Sequence, residues 1–581
     1  MRHAGEQVRK SVERFEKGVR MRTQGTAAVF SIVMILGFGL DGVAQQALRP
    51  ASLADQSSMA SCAQFMAPKK NVNGKMVGQE NCLMQDHGLV DPERKYHRVD
   101  MGITGTLSGW IVKEGARSNH FTSAPDFVFT QMGNHRPRFH GILRYEAEKG
   151  TSLILFYPES GWNGKFYVMV HGVGGSFLSG SMSSWDQNFN SSSSFNATKI
   201  ETAMLEKGYA VARTRRNADR DRPGDYEAVL DNGEVWPGQN INQNPELILD
   251  MARLVRNFLK DRSGREATRI YWYGHSAGAH MGFLVNFMPE VNLEPNGKHT
   301  VDGILADDPG GGFYVPILMK NGQDVLFRTP EEKAKFVKTF SIAHQLYPNF
   351  YSVDQPWQME LATVPSYVSP SYLENKRTAA RVFREKNMMS GFRMYEIKGI
   401  SHNSGDTSPE SGRGDVPTLP MVELSRFIDG VVDLLDNWVE KGTEPPGMRS
   451  ESPGLGDQRE AVNLPETACP LGVYFAYPPS QGAGSAGSTA FAPFDGVSLE
   501  PVDGRMELVD MNENGKRDKR ERVTEAWRRL GLLKPDETLS RAKYVACVQN
   551  AVATLRKDNF ITEKVGNLYI QEAGTEELPA R

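Results

Sequence analysis

The segment from Arg269 to Phe287 constrains the fold more than any other. The apolar run RIYWY is followed at once by Gly274-His275-Ser276-Ala277-Gly278 and then by the apolar stretch AHMGFLVNF. So short a run between turn residues reads as a buried strand, and the stretch after it as a helix. Two glycines four positions apart permit a tight strand-to-helix turn that lifts the serine between them out of the sheet. G-x-S-x-G on its own is a weak pattern, and the alternative is a serine in an ordinary glycine-rich turn. Its position between an apolar strand and an apolar helix favours the sharp turn.

The flanking chain repeats this alternation. SLILFYP and a turn at WNG lead into FYVMV, which ends in HGVGG. GYAVART reads as the next strand, and PELILDMARLVRNFLKD as a helix with Leu247, Met251, Leu254, Val255 and Phe258 on one face. VDGILA, ending at Asp307 and Asp308, PSYVS and FRMYEIKG read as further strands, with a helix at KRTAARVFREKN. Near-continuous apolar strands separated by helices predict an α/β architecture, a mostly parallel sheet with helices on both faces. Residues 1–44 read as a signal peptide, 45–145 as an N-terminal region of strands and loops, and 146–440 as the catalytic domain. Within the last, the aromatic-rich stretch 313–363 suits a lid-like insertion or a plain surface excursion. TEPPGMRSESPGLGD is linker-like, so 441–581 reads as a linker and C-terminal extension.

Ser276 needs a base, and imidazole takes up and returns a proton near neutrality. His402 follows the last predicted strand, where a loop can hang it over the serine. His171 and His275 sit inside glycine motifs, His280 on the following helix and His344 in the insertion, so those four read as structural. A carboxylate must orient the imidazole and stabilise its cation. Glu374 is the first candidate, because it follows PSYVS and precedes a helix; Asp308 and Asp354 are the alternatives, and Glu374 would also suit a helix N-terminus. The amides of Ala277 and of Gly174 or Gly175 are candidates for the oxyanion hole. HGVGG lacks a Walker lysine and opens no G-x-G-x-x-G helix, which argues against a phosphate-cradling loop.

HGVGG, GHSAG, a carboxylate and GISH, in that order, resemble the α/β-hydrolase family. More narrowly, WNGKFYVMVHGVGG, FRMYEIKGISH and the tail from TACPLGVYFAYP to RKDNFITEKVGNLYIQEA are similar to exported bacterial alpha/beta hydrolase domain proteins. The likeness spans roughly residues 145–575 and implies the α/β-hydrolase fold and a serine esterase, without a settled substrate. Val173 departs from the all-glycine form of the oxyanion element. The residues point to hydrolysis of a small-molecule or polymeric ester through an acyl-enzyme, with no cofactor for catalysis. An amidase, thioesterase or polyester depolymerase would share the same triad, and a non-catalytic binding protein could share the scaffold.

The N-terminal stretch sets basic residues before the apolar run Thr26–Leu40, then Gly42-Val43-Ala44, which suits cleavage after Ala44 and a secreted or periplasmic location. An uncleaved anchor is the alternative, and no later segment is apolar enough to cross a membrane. Four cysteines suit two disulfides in an exported protein; nearness in sequence favours Cys62 with Cys82 and Cys469 with Cys547, although spacing alone does not fix the pairing. A net charge of -3 over 581 residues argues for neither nucleic acid nor an anionic membrane as partner. Asp510, Asn512, Asn514, Asp518 and Glu521, with Gly515, fit the spacing of a calcium loop. Lys516, Arg517, Lys519 and Arg520 oppose a cation there, and a solvated polar turn is the alternative.

Overall fold

A computed structural model of the chain describes residues 60–66, 70–72, 75–77, 81–104, 141–145, 151–171, 197–215, 223–230, 235–239, 245–275, 296–309, 317–320, 323–324, 357–364, 389–400, 424–456, 460–475, 490–498 and 512–579, with isolated residues between them. Its frame is a ten-stranded sheet. In chain order the strands are β1 (Ala60–Ser61), β2 (Asn81–Asp91), β3 (Tyr96–Thr104), β4 (Thr151–Pro158), β5 (Lys165–His171), β6 (Ala210–Arg215), β7 (Arg269–His275), β8 (Gly303–Asp307), β9 (Trp357–Val364) and β10 (Phe392–Lys398). Across the sheet they run β1-β2-β3-β4-β6-β5-β7-β8-β9-β10. From β6 to β10 every neighbour is parallel, whereas β4 is antiparallel to both β3 and β6. A mostly parallel sheet with one reversed strand beside an exchanged pair, β6 before β5, is the α/β-hydrolase fold.

Helices cover the sheet because their apolar residues recur on one face. Between β5 and β6 lies α1 (Lys199–Glu206), opened by a capping box in which Thr198 accepts from the Glu201 amide and Glu201 from the Thr198 amide. Between β6 and β7 lies α2 (Pro245–Ser263), which buries Met251, Leu254, Val255 and Phe258 as its periodicity predicts. After β10, α3 (Leu424–Lys441) packs Trp438 on Trp357 at 5.1 Å between ring centroids.

The C-terminal helices α4 (Val523–Arg529), α5 (Arg541–Lys557) and α6 (Glu563–Thr575) join the same core as the sheet. Phe560 meets Tyr395 of β10 edge-on at 4.9 Å, and Arg426 of α3 grips the Glu572 carboxylate with both guanidinium nitrogens. Cys469–Cys547 and Cys62–Cys82 are the two disulfides, the pairing that nearness in sequence favours. The stretch expected to be a linker is structured. Arg449 exchanges backbone hydrogen bonds with Met394 and Glu396, and Val462 with Glu396 and Lys398. Arg449 and Val462 thus each bridge the outer side of β10; proline and glycine in TEPPGMRSESPGLGD set turns inside a packed segment.

The last parallel strand but one also differs from expectation. It is β9, Trp357–Val364, most of whose residues come from the stretch assigned to the insertion, while PSYVS lies outside the described residues. Gln358 and Glu360 alternate with Met359 and Leu361, which reads as a half-exposed strand, yet all four are buried. A second, five-stranded antiparallel sheet takes its strands from Gly141–Tyr145, Pro223–Leu230, Val235–Gln239, Ile317–Lys320 and Gln323–Asp324. These segments precede β4 or follow β6 and β8. Because β4 runs backwards, all three connections meet the main sheet at one edge, the C-terminal edge of its parallel strands.

Among the described residues no helix is long and apolar enough to cross a membrane.

Candidate active site

Five neighbouring parallel strands, β5, β7, β8, β9 and β10, end at that edge, and each feeds one element of the site. Gly174 and Gly175 follow β5, Ser276 and Ala277 follow β7, Asp308 follows β8, Glu374 follows β9 and His402 follows β10. Ser276, Ala277, Gly174, Gly175, Glu374, Asp354 and His402 lie outside the described residues, as do the rival histidines His280 and His344.

The turn that carries Ser276 is marked by the glycines on either side. A Cβ at Gly274 would fall on the carbonyl of Gly278 and 2.5 Å from the amide nitrogen of Ala279. At Gly278 it would fall on the Val170 carbonyl, 2.7 Å from its carbon, so the turn is pressed onto β5. Neither position can hold a side chain without moving backbone. The indole of Trp272 donates to the Gly278 carbonyl at 3.0 Å, and residues 278 and 279 are already helical. Strand therefore passes into helix within four residues, as the sequence predicts.

The floor beneath the turn is polar and buried. Tyr273 donates its hydroxyl to Asp307 Oδ2 at 2.7 Å, and His275 Nδ1 hydrogen-bonds the same oxygen at 2.9 Å. His275 and Asp307 are direct neighbours across β7 and β8, so this network locks the two strand ends together. That fixes the ring of His275 in a supporting position.

Asp308, one residue further, takes a left-handed conformation (φ 42°), with its amide bonded to the Leu361 carbonyl at 2.8 Å. Its carboxylate accepts a hydrogen bond from Lys376, and both side chains are buried. Glu360 of β9 is buried as well, and its carboxyl is pushed up to about 7, first by loss of water and further by Asp308, with Lys376 opposing. Sequence reasoning missed Glu360, Lys376 and the Asp307 network. A glutamate inside the apolar run Trp357–Val364 was the available signal, since a carboxyl in a buried strand needs a partner.

In the C-terminal extension, Asp510 is buried and accepts from the amides of Asn514 and Gly515 at 3.0 and 2.6 Å. Gly515 has the left-handed φ of 78°. Asn512 donates to Asp518 at 2.9 Å, but Glu521 is turned to Arg529, which holds its carboxyl below the usual range. Among the described residues no three His, Cys, Asp or Glu side chains are grouped to hold a metal ion. In this arrangement Arg529 engages both oxygens of Glu521.

No family model matches the chain, and no curated protein is significantly similar to it. Solved structures similar to it include a truncated carbohydrate esterase from gut microbiota, with 15% identity over 44% of this chain and 84% of that one, at a TM-score of 0.28. An esterase from the archaeon Pyrobaculum calidifontis shares 15% identity over 48% of this chain and 79% of its own, at 0.25. An arylesterase shares 13% over 54% and 91%, at 0.27. Values this low add nothing to the strand order itself.

Proposed function

We propose that the chain is an exported serine hydrolase that cleaves a carboxylic ester through an acyl-enzyme intermediate. The observation that carries this reading is the Gly274–Gly278 turn at the C-terminal end of β7, the central site of the fold, with Ser276 between the two glycines. In this reading Ser276 attacks the ester carbonyl. His402 takes the serine proton and returns it to the leaving alcohol, and Glu374 orients His402. The amides of Ala277 and of Gly174 or Gly175 hold the oxyanion, after which water releases the acid.

The strand spacing supports these roles. β10 lies three strands from β7, about 14 Å. His402 follows Lys398 by four residues, past a left-handed turn at Gly399. The β5 loop is adjacent to β7, where an oxyanion donor is needed. The second sheet, tethered at this edge by three connections, is suited to cover the site and bound the substrate. Export is supported by the two disulfides, which persist in oxidising compartments.

Fluorophosphonate labelling with peptide mapping tests the proposal: modification at Ser276, and loss of p-nitrophenyl ester turnover in Ser276→Ala, are expected. Labelling elsewhere, or full turnover in that variant, would sink it. Calcium binding by the 510–521 loop is a separate proposal, supported by the Asp510-centred turn and opposed by the Arg529 contact. An unchanged melting temperature on adding calcium or chelator would remove it.

A further inference from the structure

We propose that Lys376 is a positioning residue for this site, one buried ammonium that fixes the segment following β9 against the end of β8. The inference rests on the reading above, in which that segment supplies the carboxylate Glu374.

Residues 373, 376, 377, 380, 381 and 384 are helical, so Lys376 stands in a helix, two positions after Glu374 in sequence. Lys376 is 4% exposed and hydrogen-bonds Asp308, also 4% exposed, at the end of β8. The next residue, Arg377, forks onto both oxygens of Glu396 in β10 at 2.8 Å each. Glu396 is fully buried and also accepts from the Ser450 hydroxyl and the Glu451 amide. Consecutive side chains thus tie one helix to the strands on either side of β9, which sets both its height above the sheet and its rotation.

An apolar contact would anchor a helix at less desolvation cost than a buried ammonium. A charged pair adds direction, because the hydrogen bond is lost when the helix slides or turns. A displacement near 1 Å in a catalytic group is enough to slow chemistry strongly. Asp308 itself is held in a left-handed conformation by Leu361, so the acceptor is as fixed as the donor.

The test uses the full chain and a fluorophosphonate probe, whose inactivation rate reads the nucleophile and its base without knowledge of the substrate. Lys376→Met should lower the limiting rate about 100-fold. Probe affinity should change little, and the acidic limb of the pH–rate profile should move down by about one unit as the imidazole loses its oriented carboxylate. Lys376→Arg should recover most of the rate and return the limb. Lys376→Gln, which keeps a polar group there and covers the case of Lys376→Met failing to fold, should lower the rate and move the limb in the same direction. A wild-type rate and limb in both Lys376→Met and Lys376→Gln overturns the proposal. So does a loss of rate without movement of the limb, which is what a purely structural lysine would give. If the wild-type chain is not labelled at Ser276, the reading of the site falls and Lys376 with it; labelling at Ser276 with indifferent Lys376 variants removes only this inference.

Discussion

Val170 and Gly278 meet backbone to backbone, so closely that a Cβ on Gly278 would stand 2.7 Å from the Val170 carbonyl carbon. The contact joins the strand that precedes the candidate oxyanion loop to the turn that carries the candidate nucleophile. Gly278→Ala must therefore push β5 and β7 apart. Overpacking in a core costs about 1–3 kcal/mol, and here the clash is with backbone, which cannot rotate away. A fall of at least about 3 kcal/mol in unfolding free energy is expected, with loss of labelling at Ser276, both read on purified protein. An alanine variant with native stability would contradict the turn as described.

Asp307→Ala removes the acceptor shared by Tyr273 and His275 and leaves two buried polar groups without it. Hydrogen bonds to a charged group contribute about 1.5–3 kcal/mol each way. A loss of about 3 kcal/mol by denaturant titration is expected. An unmoved midpoint would show that this network does not hold the strand ends.

Glu360 gives a pH dependence whose sign is fixed. Its carboxyl is raised from 4.5 to about 7 in the folded chain, so the folded state binds the proton more tightly than the unfolded one. The stabilisation is present in full below about pH 4.5 and is lost as pH rises through about 7. At most it amounts to about 3 kcal/mol. Stability measured from pH 5 to 8.5 should fall less steeply in Glu360→Gln than in the wild type; parallel curves would reject a raised Glu360.

Cys469–Cys547 closes a loop of 78 residues across the C-terminal extension. On the loop-entropy account such a cross-link contributes about 4 kcal/mol. Cys469→Ser with Cys547→Ser should lower the melting temperature and, because α5 shares the sheet's core, should do so in one transition. Two separate transitions would show instead that the extension unfolds independently.

The turn at Ser276 was legible in the sequence because three signals agree there: a short apolar strand, glycines at the required spacing and an apolar helix. The disulfide pairing is the one proximity favours, though spacing alone left it open. β9 was not legible, because Gln358 and Glu360 give it the alternation of a half-exposed strand and only tertiary burial places both inside. Lys376 was hidden for a related reason. In KRTAARVFREKN it begins what reads as a solvated helix face, and its partner Asp308 lies 68 positions away. The second sheet draws on segments before β4 and after β6 and β8, so no local window contains it.

The pairing of Arg449 and Val462 with β10 has a practical meaning for anyone trimming this chain. A cut near residue 441, where composition suggests a natural boundary, would strip the outermost parallel strand of its cover and bare a row of amides and carbonyls. A shortened chain made that way would present a sticky margin to its own copies, and its first symptom would be aggregation.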